Sequence, residues 1–132
     1  MANRFNLQTL VDGDRNVVIK AVGVLDTSNQ ARTIIVDVST LVPACELVSV
    51  DEIYFNVTSP LSVLLDWDAT TDVDMITLSG CGEYCNMGRE WGGLQNNAGA
   101  GITGDIYLTT FGWAAGTIPF SVILKMKKRR LL

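Results

Sequence analysis

Apolar and polar residues alternate with a period of two along much of this chain, and that period predicts strands. In residues 60–68, Leu61, Val63, Leu65 and Trp67 share one face, Ser62, Asp66 and Asp68 share the other, and Leu64 breaks the alternation. Successive side chains of a strand point to opposite faces, so this segment is expected to be a half-buried strand. Residues 117–127 repeat the pattern, with Ile118, Phe120, Val122, Leu124 and Met126 facing in and Ile123 as the apolar exception. Residues 32–39 place Ile34, Val36 and Val38 together, opposite Thr33 and Asp37. Residues 16–25 are apolar on both faces apart from Lys20, as in a central strand or one covered by a neighbouring chain. Residues 48–57, 72–79 and 105–112 complete the set, and 5–11 reads as a further strand or an arm. Thr58-Ser59-Pro60 joins two runs tightly enough for a hairpin, and a brief helical turn is expected near residues 40–45.

About eight short strands separated by turn signals predict an all-β fold, a single-domain β-sandwich that is jelly-roll-like or immunoglobulin-like. Strand order is not written in the alternation. The 132 residues suit one domain. Within it the sequence marks an N-terminal arm (1–6), a glycine-rich loop (80–104) and a basic C-terminal tail (125–132). Eight of the twelve glycines lie in that loop, interleaved with Tyr84, Met87, Trp91 and Leu94, which favours an ordered loop with apolar anchors. A composition of 48% hydrophobic and 18% charged residues is the opposite of a disordered chain. The N-terminus has no basic start followed by an apolar stretch, and no apolar run approaches the roughly 20 residues that span a bilayer. A soluble protein without membrane partners is expected.

Charge and reactive groups narrow the chemistry. There is no histidine, which removes the commonest general base and the commonest transition-metal ligand. Residues 1–124 carry five basic against fourteen acidic side chains, a net of −9, which would repel nucleic acid. The other five basic residues, Lys125, Lys127, Lys128, Arg129 and Arg130, close the chain. They read in three ways: as a solvated end that blunts an edge strand, as a phosphate or lipid ligand, or as a docking element for an acidic partner surface. The pattern favours the first and third equally.

Three motifs invite a sharper reading, and each has a plainer one. Gly99-Ala-Gly101-Ile-Thr-Gly104 fits G-x-G-x-x-G, but the segment that follows is strand-like and offers no helix N-terminus for a pyrophosphate, so turn glycines are expected. Asp66, Asp68, Asp72 and Asp74 offer oxygen ligands, yet the turn glycine and closing glutamate of a calcium loop are missing, and a solvated acidic turn is expected. Cys81 and Cys85 form C-x3-C with Cys45 distant; three cysteines in all fall short of a structural zinc set, and reduced thiols are expected. No cofactor, metal or catalytic residue is expected, and the chain reads as a non-enzyme.

Several stretches, in this order, carry a resemblance. They are Asp12-Gly-Asp-Arg-Asn-Val-Val-Ile-Lys-Ala-Val-Gly23, Ile53-Tyr-Phe-Asn-Val57, Leu65-Asp-Trp-Asp-Ala69, Gly92-Gly-Leu-Gln-Asn-Asn97 with Gly99-Ala-Gly101, Thr103-Gly-Asp-Ile-Tyr-Leu-Thr-Thr110 and Phe120-Ser-Val-Ile-Leu-Lys-Met126. Together they resemble small β-rich proteins encoded among the virion structural genes of tailed bacteriophages, some of which are capsid decoration (cement) proteins. The long basic end departs from that pattern. The resemblance implies a sandwich-like fold, no catalysis, assembly in the host cytoplasm and a place on the capsid surface or at a tail or neck site. Its partners would be the major capsid protein and further copies of the chain, with a trimer at three-fold positions as the expectation. Candidate contact residues are Arg4, Phe5, Tyr84, Trp91, Lys127, Lys128, Arg129 and Arg130. A rival reading, a host- or carbohydrate-binding module on the virion, would use Trp91, Trp113, Tyr84 and Phe111 as a sugar platform.

Overall fold

The computed structural model describes residues 3–129. The elements follow in the order β1 (Arg4–Asp12), β2 (Asn16–Leu25), β3 (Thr33–Val36), a 3-10 turn (Val38–Thr40), β4 (Leu47–Val57), β5 (Ser62–Trp67), β6 (Val73–Leu78), β7 (Gly80–Tyr84), α1 (Met87–Trp91), β8 (Ile106–Phe111) and β9 (Ile118–Arg129). They form two antiparallel sheets, β1-β2-β9-β4-β7 and β3-β8-β5-β6. The pairing is nested: β2 with β9, β3 with β8, β4 with β7 and β5 with β6. A long antiparallel ribbon rolled so that alternate pairs fall in alternate sheets is the jelly-roll arrangement, and β1 adds a fifth strand beside β2. The fold is the expected β-sandwich, and the pairing decides against the immunoglobulin-like order.

The core lies between the sheets and is built from the alternating positions. Leu61, Val63, Leu65 and Trp67 are all buried, as are Ile118, Phe120, Val122, Leu124 and Met126. From β2 the inward Val17, Ile19, Ala21 and Leu25 join them. Burial of this many branched and aromatic side chains, each worth about 1.5–3 kcal/mol, drives the sandwich to close. β3 departs from strict alternation: its register shifts between Ile34 and Val36, so Ile35 turns into the core and Ile34 is only half-buried. No helix among the described residues is long and apolar enough to cross a membrane.

Five features differ from the sequence reading. The N-terminal arm (1–6) is already strand from Arg4, and the Asn3 side chain fastens it by accepting from the Asp26 and Thr27 amides at 2.7 and 3.0 Å. Thr58-Ser59-Pro60 makes no hairpin: β4 and β5 lie in different sheets, so the tight turn is a corner between layers. The loop 80–104 contains β7 and α1. The single helical turn is bounded by left-handed residues, Asn86 (φ 64°) and Gly92 (φ 81°), which confines it to five residues. Of its expected anchors Met87 is buried and Leu94 half-buried, whereas Tyr84 and Trp91 stand exposed. The basic tail is strand up to Arg129, because its alternation continues that of β9 and pairs with β4 as far as Leu47. The helical turn expected near 40–45 falls a little earlier, capped by the Asp37 side chain on the Ser39 amide.

Candidate interaction surfaces

The outer face of the five-stranded sheet is the first candidate. With Val17, Ile19 and Ala21 turned into the core, the intervening Val18, Lys20, Val22 and Val24 of β2 must face outward. Register sets Val22 between Asn6 of β1 and Ser121 of β9, and Val18 between Val11 and Lys125. Ile123, the exception in the β9 alternation, stands between Lys20 and Tyr54. These apolar side chains shade one another and are half-buried. The helix α1 packs against β4.

Strand β1 extends the same surface to an open edge. Its bulge between Thr9 and Val11 leaves Leu10 without a register partner on β2, and Leu10 and Val11 both remain 45% exposed. Of the seven exposed large apolar side chains among the described residues, three (Leu7, Leu10 and Val11) are on β1, so exposure of this kind is concentrated there. An exposed edge carries unpaired backbone donors and acceptors and is a template for strand pairing; the bulge is the usual device that discourages indiscriminate pairing. On the inward side Leu7 and Thr9 overhang the short β3, forming a groove of about 150 Å³ with Ile34 and Leu41.

The basic end of the chain is held by its own neighbours. Lys125 Nζ lies 2.6 Å from Glu52, and Lys127 Nζ lies 3.6 Å from Asp51. Lys128 is deeply placed, its side chain 5% exposed, with Nζ 2.8 Å from Asp12 and donating to the Pro43 carbonyl at 2.8 Å. Arg129 Nε donates to the buried Ser49 hydroxyl at 3.0 Å. The hydrogen bond from Lys125 holds Glu52 below the usual carboxylate range, and the Lys128 hydrogen bond, helped by the Val42 amide, does the same for Asp12. All four described cations of this end have partners within the fold, and Lys128 is the most enclosed of the three lysines, whereas Lys125 and Lys127 remain far more exposed. Arg130 lies outside the described residues. A depression of about 530 Å³ beside this end is lined by Asp14, Pro43, Ala44, Cys45, Glu46, Lys128 and Arg129. Burial raises the Cys45 thiol pKa there, which keeps the sulfur protonated and poorly nucleophilic.

The remaining candidates are scattered. Arg4 is exposed on β1, while Phe5 is half-buried, its ring 6.3 Å from that of Phe120, and serves packing. Tyr84 stacks on Phe55 at 5.8 Å, and Trp91, at the end of α1, is 58% exposed. Phe111 ends β8, and Trp113 is tied to Asn29 and to the Gly116 carbonyl. Among the described residues the ring contacts are Phe5–Phe120 and Phe55–Tyr84, so the four aromatics proposed for a sugar platform do not stack together.

The glycine motif and the acidic cluster have structural partners that the sequence did not reveal. A strand, β8, follows Gly99–Gly104; a Cβ at Gly104 (φ +86°) would meet the Glu46 carbonyl oxygen at 2.0 Å, and one at Gly101 would meet Thr70. Asp68 and Asp72 are bridged by Arg32, whose guanidinium carbon lies 3.5 Å over the Tyr107 ring. Arg32 holds Asp72 below the usual carboxylate range. The cluster is thus only partly the solvated turn expected, since Asp66 is buried. Cys45, Cys81 and Cys85 are free thiols, and among the described residues no three Cys, Asp or Glu side chains are arranged to hold a metal ion.

Comparison with known proteins finds no matching family model, no match among curated proteins and no match among solved structures.

Proposed function

We propose that the chain is a structural protein of a tailed-phage virion that decorates the capsid surface, binding the major capsid protein and further copies of itself. The observation that carries this reading is the set of half-buried apolar side chains on the outer face of the five-stranded sheet, Val18, Val22, Val24 and Ile123, set among Asn6, Lys20, Ser121 and Lys125 and reaching the exposed Val11 on the edge strand β1. Apolar surface of this kind in a rigid sandwich fits association with another protein better than it fits small-molecule chemistry. The stretches resembling virion proteins supply the partner class. Such a protein acts by linkage: binding the assembled shell and not its precursor adds binding free energy to the assembled state. Copies repeated over a symmetric lattice multiply the effect.

The test is co-sedimentation of the purified chain with expanded phage shells, alongside light scattering of the chain alone. The reading expects saturable binding, a trimer or other closed oligomer, and shells that resist heat better when decorated. A clean monomer that leaves shells bare overturns it. The rival, a sugar-binding module, retains the exposed Trp91 and Tyr84 in its favour, and a glycan array with the isolated chain distinguishes the two.

A further inference from the structure

The outer face of the four-stranded sheet sets two carboxylates against each other. Asp66 on β5 is paired directly with Asp74 on β6, beside the register shift that follows Leu65. Both neighbours of Asp66, Leu65 and Trp67, are fully buried, and Asp66 itself is 7% exposed. Its Oδ1 is buried and has no hydrogen-bond donor. Direct partners across an antiparallel ladder share a face, with Cβ atoms about 4.5–5.5 Å apart, so the Asp74 carboxyl is the group nearest in the ladder to the unpartnered Asp66 oxygen. Ionised carboxylates only accept, so a hydrogen bond between two of them requires that one keep its proton.

The other groups around Asp66 do not neutralise the pair. Tyr107 of β8 is its partner in the second ladder. Arg32, over the Tyr107 ring, donates from Nε and Nη2 to Asp72 and from Nη2 to Asp68. Asp72 adds to the repulsion, and Arg32 relieves only part of it. Burial first, and then the hydrogen bond and charge of Asp74, push Asp66 up to about 6. A divalent cation between the two would want further oxygen ligands, and among the described residues no third carboxylate is arranged with them.

We propose that Asp66 and Asp74 share one proton, and that this proton fastens β6, the free edge of the four-stranded sheet, to β5. The edge strand is then tight in mildly acidic conditions and loosens when both carboxylates ionise and oppose each other across the ladder. The sign follows from linkage. The folded-state pKa lies above the unfolded value of 3.8, so the contribution is complete below that value and is lost as pH rises through about 6. This device does not depend on the virion reading.

The experiment is carbon-detected NMR titration of the aspartate carboxyls in the full chain, with amide hydrogen exchange of β6 measured on the same samples. A carboxyl titration near pH 6 is expected at Asp66. It should fall by at least one unit in Asp74→Asn, whose amide donates to the Asp66 carboxylate and removes the like charge. Exchange of the β6 amides, referenced to those of β8, should speed up roughly tenfold between pH 5 and 7.5. In Asp74→Asn and Asp66→Asn the ratio should stay flat. Titration of Asp66 below pH 5, or a β6-to-β8 ratio that does not change with pH in the natural chain, overturns the proposal. So does restoration of slow β6 exchange at pH 7.5 by calcium, which would make the site a cation site. If Asp66→Asn fails to fold, Asp74→Asn alone decides.

Discussion

Gly23 is the point at which the packing of the five-stranded sheet is most exposed to a single added carbon. It is opposite Phe5 on one side and Phe120 on the other, and the two rings meet above it with centroids 6.3 Å apart. A Cβ at Gly23 would stand 2.3 Å from Phe120 Cε1 and 2.4 Å from Cζ. The Phe120 ring must retreat by about 1 Å to regain ordinary contact. It is fully buried, so the displacement falls on Phe5 and on the core. Overpacking of this kind costs about 1–3 kcal/mol. Replacing a strand glycine returns about 0.5–1 kcal/mol of backbone entropy. The net for Gly23→Ala is therefore a loss of about 1–2 kcal/mol, or about 3–8 °C in Tm for a domain of this size. Urea unfolding followed by tryptophan fluorescence measures it. Phe120→Leu is costly alone but removes the atoms that clash, so adding Gly23→Ala to it should cost nothing further. A Gly23→Ala chain as stable as the natural one, or a double variant whose loss is the sum of the two, refutes the reasoning.

Other outcomes follow from the same structure. Lys128→Met strands the Asp12 carboxylate and the Pro43 carbonyl and should destabilise the fold by about 1–3 kcal/mol at pH 7, measured by urea unfolding. Asp12 is held below its usual pKa, so the contribution of the pair is present above pH 3.8 and lost as pH falls further; the variant's deficit should shrink in acid. Gly104→Ala combines a φ of +86° with a Cβ 2.0 Å from a backbone oxygen, and should cost more than about 2 kcal/mol in a thermal melt. Val22→Asp and Ile123→Asp replace half-buried apolar side chains on the outer face; each should cost about 1 kcal/mol, a few degrees in melting temperature, while abolishing self-association in light scattering and binding to shells.

The sequence made the strands legible because core burial imposes a period of two, and Leu61, Val63, Leu65 and Trp67 follow it without fault. It left the sheet assignment hidden: Thr58-Ser59-Pro60 has the same turn chemistry whether the chain doubles back in one sheet or crosses to the other. The partners of charged groups were equally hidden. Lys128 reads as one of a solvated basic run, and only the fold brings Asp12 from β1 to its ammonium. Arg32 is silent until Asp68 and Asp72 are seen to close on it. The breaks in alternation were the readable signal for the candidate surface. Ile123 and the doubly apolar 16–25 are the positions where apolar side chains stand half-buried on the outward face of the sheet. Tyr84 and Trp91 read as anchors of the glycine-rich loop and stand exposed instead, while Phe5 packs toward Phe120 and Lys128 is enclosed beside Asp12, neither of which the sequence could show.

The most direct measurement is cryo-electron microscopy of virions that carry the chain, beside particles made without it. The account predicts added density on the outside of the capsid at symmetric positions, into which the sandwich fits with the β1–β2–β9 face turned toward capsid protein or a neighbouring copy. Particles identical with and without the chain, or density in which that face looks into solvent, would contradict it.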